Sequence, residues 1–261
     1  MEMLNNILPH SRLSERIGGA SLPGTAFASQ NPGLSDQTHC FPLAPSHTHP
    51  LSVTFLEQHR VVGFRANHRL TRAYDVLRNQ IVNQQFVGAA HVLAVTAPGA
   101  GCGTSTTAFN LAFSFARLAA GPVVLVDTNH AAAGLLGLPS TESSRSDASR
   151  GRHIIVEAED VRVNLVRPDL VQPGASPAGS AGLTDSVEGL RQGLKPNIVI
   201  LDLPPLLDCD LAVQMVARAD STVLVLAANR STRSEFEICR TFFHAGQKLQ
   251  VVLNKALRHG L

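Results

Sequence analysis

The sequence predicts an α/β fold, a mainly parallel sheet flanked by helices on both faces, and three observations predict it. Strand-like and helix-like segments alternate over residues 91–254, the rhythm of parallel strands joined by crossover helices. The runs at residues 92–95, 123–126 and 198–201 are continuously apolar rather than alternating, as in strands covered on both faces. The stretch HVLAVTAPGAGCGTSTTAFN at residues 91–110 passes from an apolar strand through Gly99, Gly101 and Gly103 into hydroxyl residues that open a helix. Strand, glycine loop and helix form the layout of a phosphate cradle.

Composition bounds the rest. A chain of 261 residues has room for one α/β domain and an extension. The 22 basic and 20 acidic residues leave a formal charge of +2 and no basic run, so nucleic acid is not an expected partner. Apolar stretches such as residues 111–121 and 198–201 are short or interrupted, so no membrane-spanning helix is expected. The N-terminus MEMLNNILPHSRLSERIGG lacks the charged-then-apolar order of a signal peptide, and a cytoplasmic location is expected. The four cysteines include no CxxC pair, which argues against disulfides and a zinc site. His39, Cys40, His47 and His49 cluster without a common metal-ligand spacing and read as part of a polar linker.

Residues 1–55 are rich in Pro, Ser, Gly, His and Asn. Apart from a short possible helix at residues 4–17, such composition buries too little surface to offset ordering entropy, so a largely disordered N-terminal extension is expected there. The folded domain is expected over residues 56–261. Within it, residues 70–87 place Leu70, Tyr74, Leu77 and Ile81 at helical spacing. An apolar helix at residues 105–119 is stopped by Gly121-Pro122. Residues 128–152 read as a mobile small-residue loop, and residues 163–166 as a strand. Helices are expected at 184–194, 211–219 and 233–245, and further strands at 222–227 and 249–254.

Ligands of such sheets sit at the strand C-termini, where the glycine loop, Asp127 and Asp202 all fall. Glycine lets backbone N–H groups turn toward an anion, and the helix N-terminus adds partial positive charge. Gly99, Gly101, Cys102, Gly103, Thr104, Ser105 and Thr106 are therefore the candidate nucleotide-binding residues. In the pattern GxxxxGK[ST], a lysine reaches the β- and γ-phosphates and a hydroxyl binds Mg²⁺. Here Thr104 stands at the lysine position, Ser105 at the hydroxyl position and Pro98 at the first glycine. Ser105, Asp127 and Asp202 are the candidate Mg²⁺ ligands, and the two aspartates are the candidate catalytic residues. The alternative for both carboxylates is to cap backbone N–H groups at strand ends. Losing a charge-assisted phosphate contact costs about 1.5–3 kcal/mol, which binding survives better than fast phosphoryl transfer. Arg145, Arg150, Arg152 and Arg230 are candidates for a replacement cation arriving from another subunit.

Four motifs in order resemble the cytosolic P-loop module of bacterial tyrosine autokinases and their relatives in capsule and exopolysaccharide synthesis, within the MinD-like P-loop NTPases. An EAYRxLR-like helix appears as Arg72-Ala73-Tyr74-Asp75-Val76-Leu77-Arg78, and the VTSxxPGxGKSTTAxNLA loop runs from Val95 to Ala112. The strand ending DxD appears as Val124-Leu125-Val126-Asp127-Thr128-Asn129, and DxPP as Asp202-Leu203-Pro204-Pro205, followed by Asp208 and Asp210. The departures are Thr104 for lysine, Asn129 for the second Asp, inverted charges at Arg72 and Asp75, and no tyrosine-rich tail. Tyr74, the one tyrosine, reads as a packing residue.

The resemblance implies ATP or ADP with Mg²⁺ as ligands, a membrane polysaccharide co-polymerase or export protein as partner, and a homodimer or oligomer. It implies a cytoplasmic protein, recruited through that partner to the inner face of the plasma membrane. The leading expectation is a regulator of exopolysaccharide synthesis or export that binds nucleotide with weak or lost phosphoryl transfer. An active ATPase or protein-tyrosine kinase is one alternative. A nucleotide-free scaffold is another, and so is a homologue of the pilus-localisation ATPases, whose degenerate loops are similar.

Overall fold

A computed structural model of the chain describes residues 45, 47–85, 90–138, 152–168 and 178–256. The possible helix at residues 4–17, His39, Cys40, Arg145, Arg150 and the Arg152 side chain lie outside the described residues. In chain order the elements are β1 (Thr48–Pro50), α1 (Val53–Gln58), α2 (Thr71–Gln85), β2 (His91–Thr96), α3 (Thr104–Ala116), β3 (Val123–Asp127), α4 (Ala132–Leu136) and β4 (Arg152–Ala158). There follow β5 (Val161–Arg167), α5 (Ala178–Leu194), β6 (Ile198–Asp202), α6 (Asp210–Val216), β7 (Ser221–Ala227), α7 (Arg233–Arg240) and β8 (Lys248–Asn254).

The described strands form one eight-stranded sheet in the order β1-β4-β5-β3-β6-β2-β7-β8. All neighbours pair parallel except β4 and β5. The expected α/β sheet with helices on both faces is therefore present. β2, β3 and β6 are buried along their whole lengths, because the two faces of each strand serve different layers. Leu93, Val95, Leu125 and Ile200 pack in one cluster with Ile81 of α2 and Phe109, Phe113 and Phe115 of α3. Val92, Ala94, Val126 and Leu201 pack in the other with Leu183 and Leu190 of α5 and Met215 of α6. Each large apolar side chain buried this way contributes about 1.5–3 kcal/mol. The register then fixes the site: Asp127 of β3 stands directly beside Asp202 of β6.

Several elements depart from the sequence reading. β1 and the start of α1 precede residue 56, where that reading begins the domain; β1 pairs with β4 and so joins the sheet. Leu70 lies before α2 and is 42% exposed, so the inner face of that helix is Leu77, Arg78 and Ile81, with Tyr74 half-buried. The loop expected at residues 128–152 contains α4 and ends in β4. β4 turns through Glu159 and Asp160 into β5 as an antiparallel hairpin, placing Ile154, Val156 and Ala158 in the core. α7 is opened by a capping box between Thr232 and Glu235 and ends at Arg240, short of the expected Ala245. Phe242 and Phe243 reach the core from the turns beyond it. Among the described residues no helix is long and apolar enough to cross a membrane.

Candidate phosphate-binding site

β2 delivers the chain into the loop at residues 97–103. Gly101 and Gly103 adopt φ of 76° and 92°, a left-handed backbone that glycine enters without steric cost. Their missing side chains also make room. A Cβ on Gly103 would lie 2.2 Å from Asn254 Nδ2, and one on Gly101 would lie 2.9 Å from the guanidinium carbon of Arg230. At Gly99, by contrast, a Cβ would meet nothing within 4 Å. The loop is fastened from β8: Asn254 Nδ2 donates to the Cys102 carbonyl at 2.9 Å and Lys255 Nζ to the Gly101 carbonyl at 2.8 Å. With those carbonyls drawn outward, the loop can turn its amides the other way.

α3 begins at Thr104 without a side-chain cap or an acidic residue in its first turn. Its first intrahelical bond runs from Thr107 N to Gly103 O at 3.0 Å. The amides before Thr107 are thus the orphan donors of a helix start, which an anion satisfies and the helix dipole favours. The residues that carry them, Thr104, Ser105 and Thr106, line a cleft of about 360 Å³ together with Gly101, Gly103 and Asn129. That volume is within the range of small-ligand sites. Cys102 turns inward instead, with Sγ 3.5 Å from Ser231 Oγ.

The carboxylates sit behind this cleft. Asp127 is fully buried, and its two oxygens accept from Ala131 N and Ala132 N at 2.9 Å each. It therefore caps α4, the role set beside metal binding in the sequence reading. Asp202 is also fully buried. Its Oδ1 accepts from Asn129 Nδ2 at 2.9 Å, while its Oδ2 has no hydrogen-bond partner. Burial, and next the neighbouring Asp127 charge, push its pKa up to about 8, against the opposing influence of Ser105 and Asn129. Asn129 is the residue whose importance composition did not reveal. Its Nδ2 also donates to Leu203 O at 2.9 Å and stands 3.5 Å from Ser105 Oγ. Ser105, Asp202 and Asn129 are thus brought together, whereas Asp127 points into α4. As arranged, the Mg²⁺-ligand candidates do not fit an open metal seat, because an amide stands among them.

The α2 motif is also engaged. Asp75 pairs with both Arg78 and Arg117 and accepts from Ser114 Oγ at 2.6 Å. Arg78 further donates to the Ser114 carbonyl at 2.9 Å. Asp75 is therefore committed within its own chain.

No protein-family model matches this sequence, and no curated protein does. Solved structures are similar in fold. The chimerical protein CapA2B2 aligns over 82% of this chain and 95% of its own, with a TM-score of 0.59 and 20% identity. The kinase domain of the Escherichia coli tyrosine kinase ETK aligns over 84% and 94%, with a TM-score of 0.53 and 15% identity. The VpsO kinase domain aligns over 79% and 100%, with a TM-score of 0.54 and 19% identity. A glycine loop at the end of a central parallel strand, two buried aspartates side by side on β3 and β6 and these likenesses together give one conclusion: this chain has the fold of bacterial tyrosine kinase domains.

Proposed function

We propose that this protein binds a nucleotide through its phosphates and regulates exopolysaccharide synthesis or export, with phosphoryl transfer weak or lost. The observation that carries the reading is the N-terminus of α3, which has no side-chain cap and whose first residues Thr104, Ser105 and Thr106 line the cleft. That geometry suits an anion, and a neutral threonine stands where a fixed cation would gather transition-state charge. Arg230 is the replacement cation, since its guanidinium lies against Gly101. Asn129 bears no group able to accept a proton from an attacking hydroxyl. Tyr74, the one tyrosine, is half-buried on α2 and makes a poor self-substrate.

The polysaccharide role rests on the four-motif resemblance and on the likeness of fold. The partner of choice is a membrane polysaccharide co-polymerase or export component, with nucleotide occupancy or self-association as the switch. Isothermal titration of the full chain with ATP and ADP, run beside a tyrosine-phosphorylation assay, tests the reading. Saturable nucleotide binding with negligible transfer is the expected result. Transfer at about 1 per second or faster, a rate typical of kinases, overturns the claim of weakened chemistry. Absence of binding at millimolar nucleotide overturns the site.

A further inference from the structure

We propose that the side-chain amide of Asn129 occupies the place a divalent cation would take between Ser105 and Asp202, so that this site holds nucleotide phosphates without Mg²⁺. The inference rests on the nucleotide reading above and goes beyond it in naming the metal-free form as the ligand. Three oxygens of different kinds surround Asn129 Nδ2: the Asp202 carboxyl at 2.9 Å, the Leu203 carbonyl at 2.9 Å and the Ser105 hydroxyl at 3.5 Å. A hard cation gathers a shell of that composition. Here the positive end of an amide dipole gathers it instead.

The orientation of the amide is fixed by its partners. A flipped Asn129 would turn its oxygen toward Asp202 Oδ1 and the Leu203 carbonyl, oxygen against oxygen, and forfeit both 2.9 Å hydrogen bonds. Access points the same way. Asn129, Ser105 and Leu203 line the cleft, whereas Asp202 and Asp127 do not. Both aspartates are fully buried, so a cation entering from the cleft meets the amide before it meets a carboxyl. Asp127 offers no second seat, since both of its oxygens already accept backbone amides at the start of α4. Mg²⁺ demands near-ideal octahedral geometry and gives up water reluctantly. To enter, it would have to break two hydrogen bonds of good length and turn Asn129 away.

Titration of the full chain with ATP in the presence of Mg²⁺, and again in EDTA, tests the inference. Affinity no tighter with Mg²⁺ is expected; tightening by about tenfold or more, equivalent to 1.4 kcal/mol, overturns it. In Asn129→Asp the amide gives way to a carboxylate, and binding becomes Mg²⁺-dependent by about tenfold. Asn129→Ala, which opens the seat without adding charge beside Asp127 and Asp202, covers the case in which the aspartate variant fails to fold. A folded variant as indifferent to Mg²⁺ as the wild type overturns the proposal. A third arm needs no nucleotide: Mn²⁺ titrated onto the protein alone and followed by electron paramagnetic resonance. Binding by Asn129→Asp or Asn129→Ala that the wild type lacks supports the blocked seat, and equal binding overturns it. If ATP binds under neither condition, the nucleotide reading falls while the Mn²⁺ arm still decides the role of the amide.

Discussion

Substituting Asn110 should be among the most damaging single changes in the domain, and its cost can be worked from its contacts. Asn110 is fully buried on α3, one turn beyond Thr106 of the cleft. Its Oδ1 accepts from Val62 N at 2.7 Å and Gly63 N at 2.8 Å. Its Nδ2 donates to Arg60 O at 2.9 Å and Thr106 O at 2.7 Å. The side chain uses its full capacity of two donors and two acceptor sites, and so fastens the segment between α1 and α2 onto the phosphate helix. In Asn110→Ala the amides of Val62 and Gly63 are left buried without partners. At about 1–3 kcal/mol for each stranded donor, the loss is about 2–6 kcal/mol. A domain stability of about 5–15 kcal/mol would then be cut by a large fraction. Asn110→Asp is the informative companion, because it keeps an acceptor for both amides but sets a carboxylate oxygen against two carbonyls. Urea denaturation followed by circular dichroism measures both variants. A loss below about 1 kcal/mol for Asn110→Ala, within the range of an ordinary exposed contact, would refute the clamp.

Gly103→Ala should abolish nucleotide binding, since φ of 92° and the approach of Asn254 Nδ2 leave no room for a methyl group; retained affinity in calorimetry would count against the cradle. Arg230→Gln should weaken ATP by about tenfold, the low end of a lost charge-assisted contact, and leave adenosine unaffected; equal loss for both ligands would contradict a phosphate contact. In the wild type, stability should fall as pH drops below about 6.5. His91 is buried against Ser221, and burial lowers its pKa below the ordinary value of 6.5 despite the opposing Asp220. The unfolded chain therefore takes up a proton that the folded one refuses, and the loss runs downward from the unfolded pKa. His91→Gln should remove that component from a pH series of urea midpoints, and an unchanged acid limb would show that His91 does not carry it.

The parts of the fold legible in the sequence are those whose local pattern matches their tertiary surroundings. β2, β3 and β6 read as strands because full burial demands apolar residues at every position, and each ends where the site begins. β4 was not legible: Ile155 interrupts the alternation of Ile154, Val156 and Ala158 with polar residues, and the pattern gains meaning only once β5 lies against it. α1, with six residues, is too short to display a helical period. At the site, the glycine loop and Ser105 could be read from spacing, because a cradle is a local device. Asn129 could not. The sequence shows only that an acid is missing there, whereas its amide partners come from β6 and from Leu203, more than seventy residues away. Arg230 likewise reaches Gly101 only through the placing of β7 beside β2.

The two departures at this site are better understood as one change than as two. Compared with the motifs they resemble, Thr104 removes a positive charge and Asn129 removes a negative one, so the formal charge of the pocket is unaltered. Either change alone would leave an imbalance. A lysine lost beside three acids would repel phosphate, and an acid lost beside a retained lysine would shift the pocket by one positive charge. Together they exchange a charged pair for neutral groups that can hydrogen-bond: a hydroxyl in the first turn of α3 and an amide that ties Asp202 to Leu203. Hydrogen bonds of this kind can hold an anion and a folded strand end in place, but they supply neither a fixed charge at residue 104 nor a proton acceptor at residue 129. The pairing leaves a glycine loop beside two neutral groups where the resembled motifs carry a charged pair, and nucleotide titration beside a transfer assay decides what that exchange does to turnover.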